Sequence, residues 1–310
     1  MSASASPTPA TEERYILAEG PFWDAPRERL LWVDIEAGFV LSGRLHEDGR
    51  IEDVSTVAFP GRVGAVASSE DGDWIVAVDG ELLRRSRLGA VTHGPRLVPA
   101  DSGRRLNDGK PDPSGRYLVG TLSMVGDTGS EELFVVDGDG VRTLDDDVTL
   151  SNGLAWACDG RTLYSIDTGA GVVYRRPWDP ATSEAGPREE LLRITDGGFP
   201  DGMTIDAEDH LWVAIWGAGQ VRRYTPAGTL DRVVEVPASF VSSVAFAGED
   251  LGTLVITTSL RDLDERGRAE QPDAGRLFTL RPGVRGAPQP LWSGRLPRLG
   301  TRHPNVLPPR

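Results

Sequence analysis

One short pattern recurs six times along the chain. A glycine or other small residue opens an alternating apolar strand, a turn rich in Asp and Gly follows, and then comes a second strand of aromatic and β-branched residues. The clearest copies run from Gly20-Pro21-Phe22-Trp23 to Leu30-Leu31-Trp32-Val33-Asp34 and from Gly153-Leu154-Ala155-Trp156 to Thr162-Leu163-Tyr164-Ser165-Ile166-Asp167. Others begin at Gly64, Gly109 and Gly202, and a weaker one at Ser243. Steps of about 41–49 residues are those of a four-stranded blade, so the pattern predicts an all-β fold, a six-bladed β-propeller. Third strands are visible at Gly171-Val172-Val173-Tyr174-Arg175 and Gln220-Val221-Arg222-Arg223-Tyr224. The stretch after Ser243 holds a sixth blade with a strand left over to close the ring on the first. A large sandwich would not carry so even a period. Only Arg188 to Ile194 has a short helical rhythm.

The 37 glycines and 23 prolines are spread along all 310 residues instead of pooling in a linker, as expected of one domain with many turns. Met1 to Thr11 is rich in Ala, Ser, Thr and Pro but has neither a basic nor an apolar leader segment. Residues 1–12 are therefore expected to be a disordered tail and residues 13–310 a single propeller domain. No run approaches the roughly 20 apolar residues that cross a bilayer, so a cytoplasmic protein is expected, as a monomer or weak homo-oligomer. A formal net charge of -14 repels phosphate backbones and anionic lipid, which argues against nucleic acid and membrane as partners. The one cysteine, Cys158, cannot form an internal disulfide, and its place after Ala155-Trp156-Ala157 suggests a small buried filler.

In a propeller, equivalent positions of the repeats face one another across the channel. The residue before each repeat's opening glycine reads, in order, Glu19, Val63, Asp108, Asn152, Asp201 and, less strictly, Ser242. Singly, Asp-Gly and Asn-Gly are ordinary turn formers. Four carboxylates or amides in register, converging in a narrow channel, are costly unless a cation compensates them. An all-oxygen set suits one divalent metal ion, Ca²⁺ first, with Zn²⁺, Mn²⁺ or Mg²⁺ also accommodated. His46, His93, His210 and His303 show no ligand spacing, and His210 falls in a turn expected to be exposed. Trp23, Trp32, Trp156 and Trp212 recur at strand positions that suit packing between blades. The run Asp145-Asp146-Asp147 lacks calcium-loop spacing and reads as a solvated turn.

These residues also carry a resemblance. Leu17-Ala18-Glu19-Gly20-Pro21-Phe22-Trp23, Arg105-Leu106-Asn107-Asp108-Gly109-Lys110, Leu150-Ser151-Asn152-Gly153-Leu154-Ala155-Trp156 and Phe199-Pro200-Asp201-Gly202-Met203 resemble, in this order, motifs of the family of senescence marker protein 30 (regucalcin), gluconolactonases and luciferin-regenerating enzymes. The resemblance implies a six-bladed propeller whose channel metal is held by Glu19, Asn152 and Asp201. It assigns substrate contact to Arg105 and Asn107, and a second role as general base to Asp201. From its place in the repeat, Asp108 is expected to join them as a substrate contact, and to be able to share the base's work or hold a water behind the metal. Regucalcin-type members carry acids a few positions past the Gly-Thr of the third repeat. Here Gly120-Thr121 leads into Leu122-Ser123-Met124-Val125, with no acid before Asp127, so Met124 and Val125 are expected to give that wall an apolar character.

The function implied is metal-dependent hydrolysis of a small lactone, such as an aldonolactone, to the hydroxy acid. Two alternatives stay open. One is a metal enzyme of the same fold acting on a less polar substrate, as an organophosphate hydrolase or natural-product cyclase or lyase. The other is a non-catalytic metal-binding propeller.

Overall fold

Six four-stranded antiparallel sheets make up the protein in a computed structural model that describes residues 6–126 and 129–297. Residues 1–5, 127–128 and 298–310 lie outside it, and with them Asp127, His303 and the outermost parts of the expected tail and domain. Five sheets are built from four strands consecutive in the chain. Their innermost strands are Ala18–Asp24, Val63–Ser68, Arg104–Pro111, Ser151–Trp156 and Phe199–Ile205, and Val241–Ala247 is the innermost of the sixth. The chain is thus an all-β six-bladed propeller.

The sixth sheet is made from both ends of the chain. Val241–Ala247, Thr253–Thr258 and Phe278–Leu280 are joined at the outside by Thr8–Pro9, with Thr8 opposite Thr279. The expected disordered tail therefore gives way from residue 8 to a clasp. Ala10 donates to the Leu277 carbonyl at 2.7 Å and accepts from Ile51 at 2.8 Å, which ties blade six to blade one. The closing strand comes from the N-terminus, not from a strand left over at the C-terminus. Composition marked these residues as unstructured; what orders them is the free edge of Phe278–Leu280, which needs hydrogen-bond partners.

Apolar packing runs around the ring between neighbouring sheets. One cluster spans blades one to three through residues such as Leu31, Val66 and Tyr117. Others join blades three and four (Leu118, Leu163), four and five (Ile166, Val213), five and six (Trp212, Phe246) and six and one (Val255, Trp32). Trp23, Trp32, Trp156 and Trp212 all lie in these seams, and Trp212 meets Phe246 edge-on at 5.9 Å.

Two local expectations are corrected. Arg188 to Ile194 is no helix: Glu189–Arg193 is the outermost strand of blade four, and a register shift between Val173 and Tyr174 breaks the alternation that would have marked it. An α-helix forms instead at Glu265–Glu270, in the long connection of blade six, with Asp264 accepting from the Gly267 amide at its N-cap. Asp145 to Asp147 belong to the strand Val141–Val148, where Asp145 receives the buried Arg176 at 2.7 Å.

Every innermost strand breaks register at the same place. The shifts fall between Glu19 and Phe22, Val63 and Ala65, Leu106 and Gly109, Asn152 and Leu154, Pro200 and Met203, and Val241 and Ser243. A bulge turns a side chain out of strict alternation, and here it falls on the residue that precedes each repeat's small residue. The glycines let the strands converge. A Cβ on Gly64 would stand 2.6 Å from the Leu106 carbonyl oxygen, and one on Gly153 would stand 2.6 Å from that of Asp201.

Candidate active site

The bulges bring three of the six in-register residues to one cavity of about 120 Å³ at the start of the inner strands. Glu19, Asn152 and Asp201 line it together with Arg105, Asn107 and Arg261, and Leu122 and Trp216 contribute to its apolar wall. Val63 is packed in the apolar core. Ser242 is committed to the ring's closure, donating to the Ala18 carbonyl at 2.6 Å and sharing a hydrogen bond with Thr257. Asp108 does not line the cavity. It is buried outside that lining, against the expectation of a substrate contact, with Oδ1 accepting the Gly109 amide at 2.8 Å, as Glu19 Oε2 accepts that of Gly20 at the same distance.

Three carboxyls so close and so dry oppose one another's ionisation. Burial first, then the charges of Asp201 and Asp108, push Glu19 well above the usual carboxylate range. Burial and Asp108 do the same to Asp201, against the hydrogen bond it accepts from Asn152. Burial raises Asp108 too, although the Lys110 ammonium opposes this. Lys110, two residues further along the strand, donates to the Met203 carbonyl at 2.9 Å.

The amide of Asn152 is half used. Its Nδ2 donates to Thr168 Oγ1 at 3.2 Å and to Asp201 Oδ1, while its Oδ1 is buried with no hydrogen-bond partner. An orphaned amide oxygen beside two unneutralised carboxyls is a donor set that fits a hard divalent cation.

Arg105 and Asn107 form a unit. Arg105 Nη1 donates to the Leu106 carbonyl and to Asn107 Oδ1, each at 2.9 Å, and Asn107 Nδ2 donates to the Ser151 carbonyl at 3.0 Å. Each end of the Asn107 amide thus has one bond that holds Arg105 or the next blade. Burial lowers the guanidinium to about 10, so it stays charged at neutral pH. The neighbouring Arg104 faces elsewhere, paired with Glu131 at 3.0 Å and Glu132 at 3.2 Å.

Several expectations about the surroundings change. Met124 and Val125 do not line the cavity; they are exposed beyond Ser123, where the strand ends, and Leu122, still within the strand, supplies the apolar wall. Cys158 is exposed in a turn instead of buried in a strand, and partial burial of its sulfur followed by the nearby Asp209 pushes its thiol up to about 11. It lines a larger cavity of about 350 Å³, formed with Lys110 and Trp156 where the inner strands end, away from the cluster of carboxyls. Arg261, Trp216 and Thr168 are the cavity residues that sequence reasoning missed. Arg261 lies in the long connection of blade six and Thr168 in a turn, outside the repeated motif.

A second group of possible ligands, Asp206, Glu208 and His210, has its ligand atoms within 4.8 Å of one another. His210 is half-buried there instead of exposed. Asp206 already accepts from Trp212 Nε1 at 2.9 Å, Arg223 Nε at 2.8 Å, and the amides of Glu208 and His210 at 2.9 and 3.0 Å. Arg223 also pairs with Glu208 at 2.6 Å. With its lone pairs engaged and a guanidinium seated between the acids, this group braces a turn.

The fold and site together define a six-bladed propeller whose channel mouth gathers acidic and amide oxygens beside a buried arginine. The model of the SMP-30/gluconolactonase/LRE-like region matches residues 17–260, and the chain belongs to this family. It is 38% identical over 289 residues to the pentonolactonase of Haloferax volcanii, covering 88% of this chain and 93% of that protein. It is 35% identical over 286 residues to the 6-deoxy-6-sulfogluconolactonase of Pseudomonas putida, covering 90% and 96%. Among solved structures it is similar to the calcium-binding protein regucalcin from Agrobacterium tumefaciens, with TM-score 0.87, 30% identity, and coverage of 93% and 97%. Among the described residues, no helix is long and apolar enough to cross a membrane.

Proposed function

We propose that this protein is a metal-dependent lactonase that opens a small lactone to its hydroxy acid, with Glu19, Asn152 and Asp201 as ligands of one divalent ion. The observation that carries this reading is the buried, unpartnered Asn152 Oδ1 lying with two carboxyls in a cavity that Arg105 also faces. The lactonases among its relatives add support. Calcium is the ion we favour, in keeping with the oxygen ligands and with the calcium-binding relative.

When bound, the cation supplies Lewis-acid polarisation of the lactone carbonyl. The remaining steps fall to the chain's own groups. Burial and Asp108 favour the protonated form of Asp201, so its work as a base depends on the nearby positive charge that keeps it ionised. Its Oδ1 is then engaged by Asn152, which leaves Oδ2 to take a proton from water as its oxygen bonds to the carbonyl carbon. The ring C–O bond then breaks, and the same proton passes to the departing ring oxygen. Arg105, anchored through Nη1, has the rest of its fork available to substrate oxygens. Apolar Leu122 and Trp216 limit the water that reaches the ring.

The test is hydrolysis of a lactone panel followed by acid release. Activity is expected with added Ca²⁺ or Mn²⁺, to vanish with chelator, and to fall about a thousandfold or more in Asp201→Asn. Undiminished turnover in Asp201→Asn would remove the proposed base.

A further inference from the structure

The cavity wall that holds Arg105 and Arg261 has a charge of its own. Arg105 is only 3% exposed, and among the described residues no carboxylate forms an ion pair with it. Two more guanidiniums stand beside it. Arg62 binds Glu36 at 2.9 Å, and Arg261 reaches the other oxygen of Glu36 at 3.7 Å and Asp262 at 3.3 Å. Outside the proposed metal ligands, two carboxylates thus serve three arginines. Glu19 and Asp201, whose charges Arg105 also feels, are committed to the cation in the function proposed above, which leaves the buried Arg105 as the unmatched charge. Burial does most to lower Arg105; Glu36 and, less, Glu19 oppose this, while Arg261 and Arg62 add to it, as expected of like charges near one another.

Arg261 is held in place for this role. Its amide is anchored on Ser259 Oγ at 2.9 Å, and its guanidinium lies 5.6 Å from the centre of the Trp216 ring. Trp216 in turn packs on Phe240 at 4.8 Å. The guanidinium is thereby fixed at the cavity's edge in a chain that is otherwise strongly acidic.

This wall is richer in donors than in acceptors. Guanidinium groups have no acceptor atom, Asn107 Oδ1 already accepts from Arg105, Thr168 Oγ1 already accepts from Asn152, and Leu17, Ile35, Leu122 and Leu150 offer nothing polar from their side chains. A sugar hydroxyl placed against the two guanidiniums would find donors in excess and few acceptors for its own proton. An anionic oxygen would use the donors fully and neutralise the buried charge.

We propose that the substrate is a lactone bearing an anionic substituent, such as a carboxylate on the carbon outside the ring, which Arg105 and Arg261 bind while the ring carbonyl faces Glu19, Asn152 and Asp201. This rests on the lactonase function proposed above, and the experiment separates the two. The kcat/KM of the metal-loaded protein is measured for a six-carbon aldono-δ-lactone and for its counterpart in which the exocyclic CH2OH is a carboxylate. In parallel, calorimetry compares the non-hydrolysable rings tetrahydropyran-2-carboxylate and tetrahydropyran-2-methanol.

The native protein is expected to prefer the anionic member of each pair by about tenfold or more, and Arg261→Gln to cut that ratio to within about threefold of unity. Arg261→Lys, which keeps the charge and loses the fork, is expected to fall between them. A ratio at or below one in the native protein, or one unchanged in Arg261→Gln, would overturn the anion assignment even if both lactones turn over. Preferential binding of the anionic ring without hydrolysis of either lactone would uphold it and remove lactone opening instead.

Discussion

Asn107 illustrates how a residue that reads as a substrate contact can act one step removed. Its amide carbonyl holds Arg105 and its NH2 group holds the blade-four carbonyl of Ser151, so it fixes the direction of the guanidinium. Replacing it with Ala frees Arg105 to rotate and leaves the Ser151 carbonyl without its donor. We expect Asn107→Ala to lower kcat/KM by about ten- to a hundredfold with little change in metal affinity, and Asn107→Asp, which retains an acceptor for Arg105, to recover part of the loss. A metal affinity that falls in step with activity in Asn107→Ala would contradict a positioning role. At this scale the sequence was informative where residues share a repeat position. Glu19, Asn152 and Asp201 were legible because each precedes a repeat glycine, and they do meet in one cavity. Asp108 has the same position, yet does not line that cavity. Arg261 was not legible, since its place depends on the connection of blade six, which carries no periodic signal.

The bulged inner strand is the element that converts a repeat into a site. Regular alternation would send residues 19, 152 and 201 into fixed faces of their sheets; the extra residue at each bulge re-aims them. The glycine that follows is needed for packing, because its neighbour's backbone occupies the space of a side chain. At Gly153 an added methyl would meet the Asp201 carbonyl oxygen and Ile166 Cδ1, each at 2.6 Å. Gly153→Ala should therefore push blade five's strand outward. We expect a stability loss of about 1–3 kcal/mol by chemical denaturation, and a metal affinity reduced by more than that loss of stability alone would cause. Native metal affinity in a folded Gly153→Ala protein would show that strand spacing does not set the site. The repeats disclosed these strands, but not the outermost strand of blade four, where a register break hid the alternation, nor Thr8–Pro9, whose order depends on a partner some 270 residues away in the chain.

Across the whole molecule, the ring geometry explains why a strongly acidic chain tolerates three buried carboxyls in one channel. Apolar seams between successive blades hold the inner strands in place whatever those carboxyls cost, and the N-terminal clasp prevents the ring from opening to relieve them. The number of blades followed from the spacing of glycines, because each blade is a local structure. The direction of ring closure did not follow, because it joins the two ends of the chain. A cation bound by Glu19, Asn152 and Asp201 would offset the repulsion. Calorimetric titration of Ca²⁺ into chelator-treated protein measures this directly. The predicted result is one site per chain, with affinity at least about a hundredfold weaker in Glu19→Gln and in Asp201→Asn, and unchanged in Glu208→Gln. Absence of a site, or a site untouched by the first two substitutions and abolished by the third, would contradict a metal in the channel.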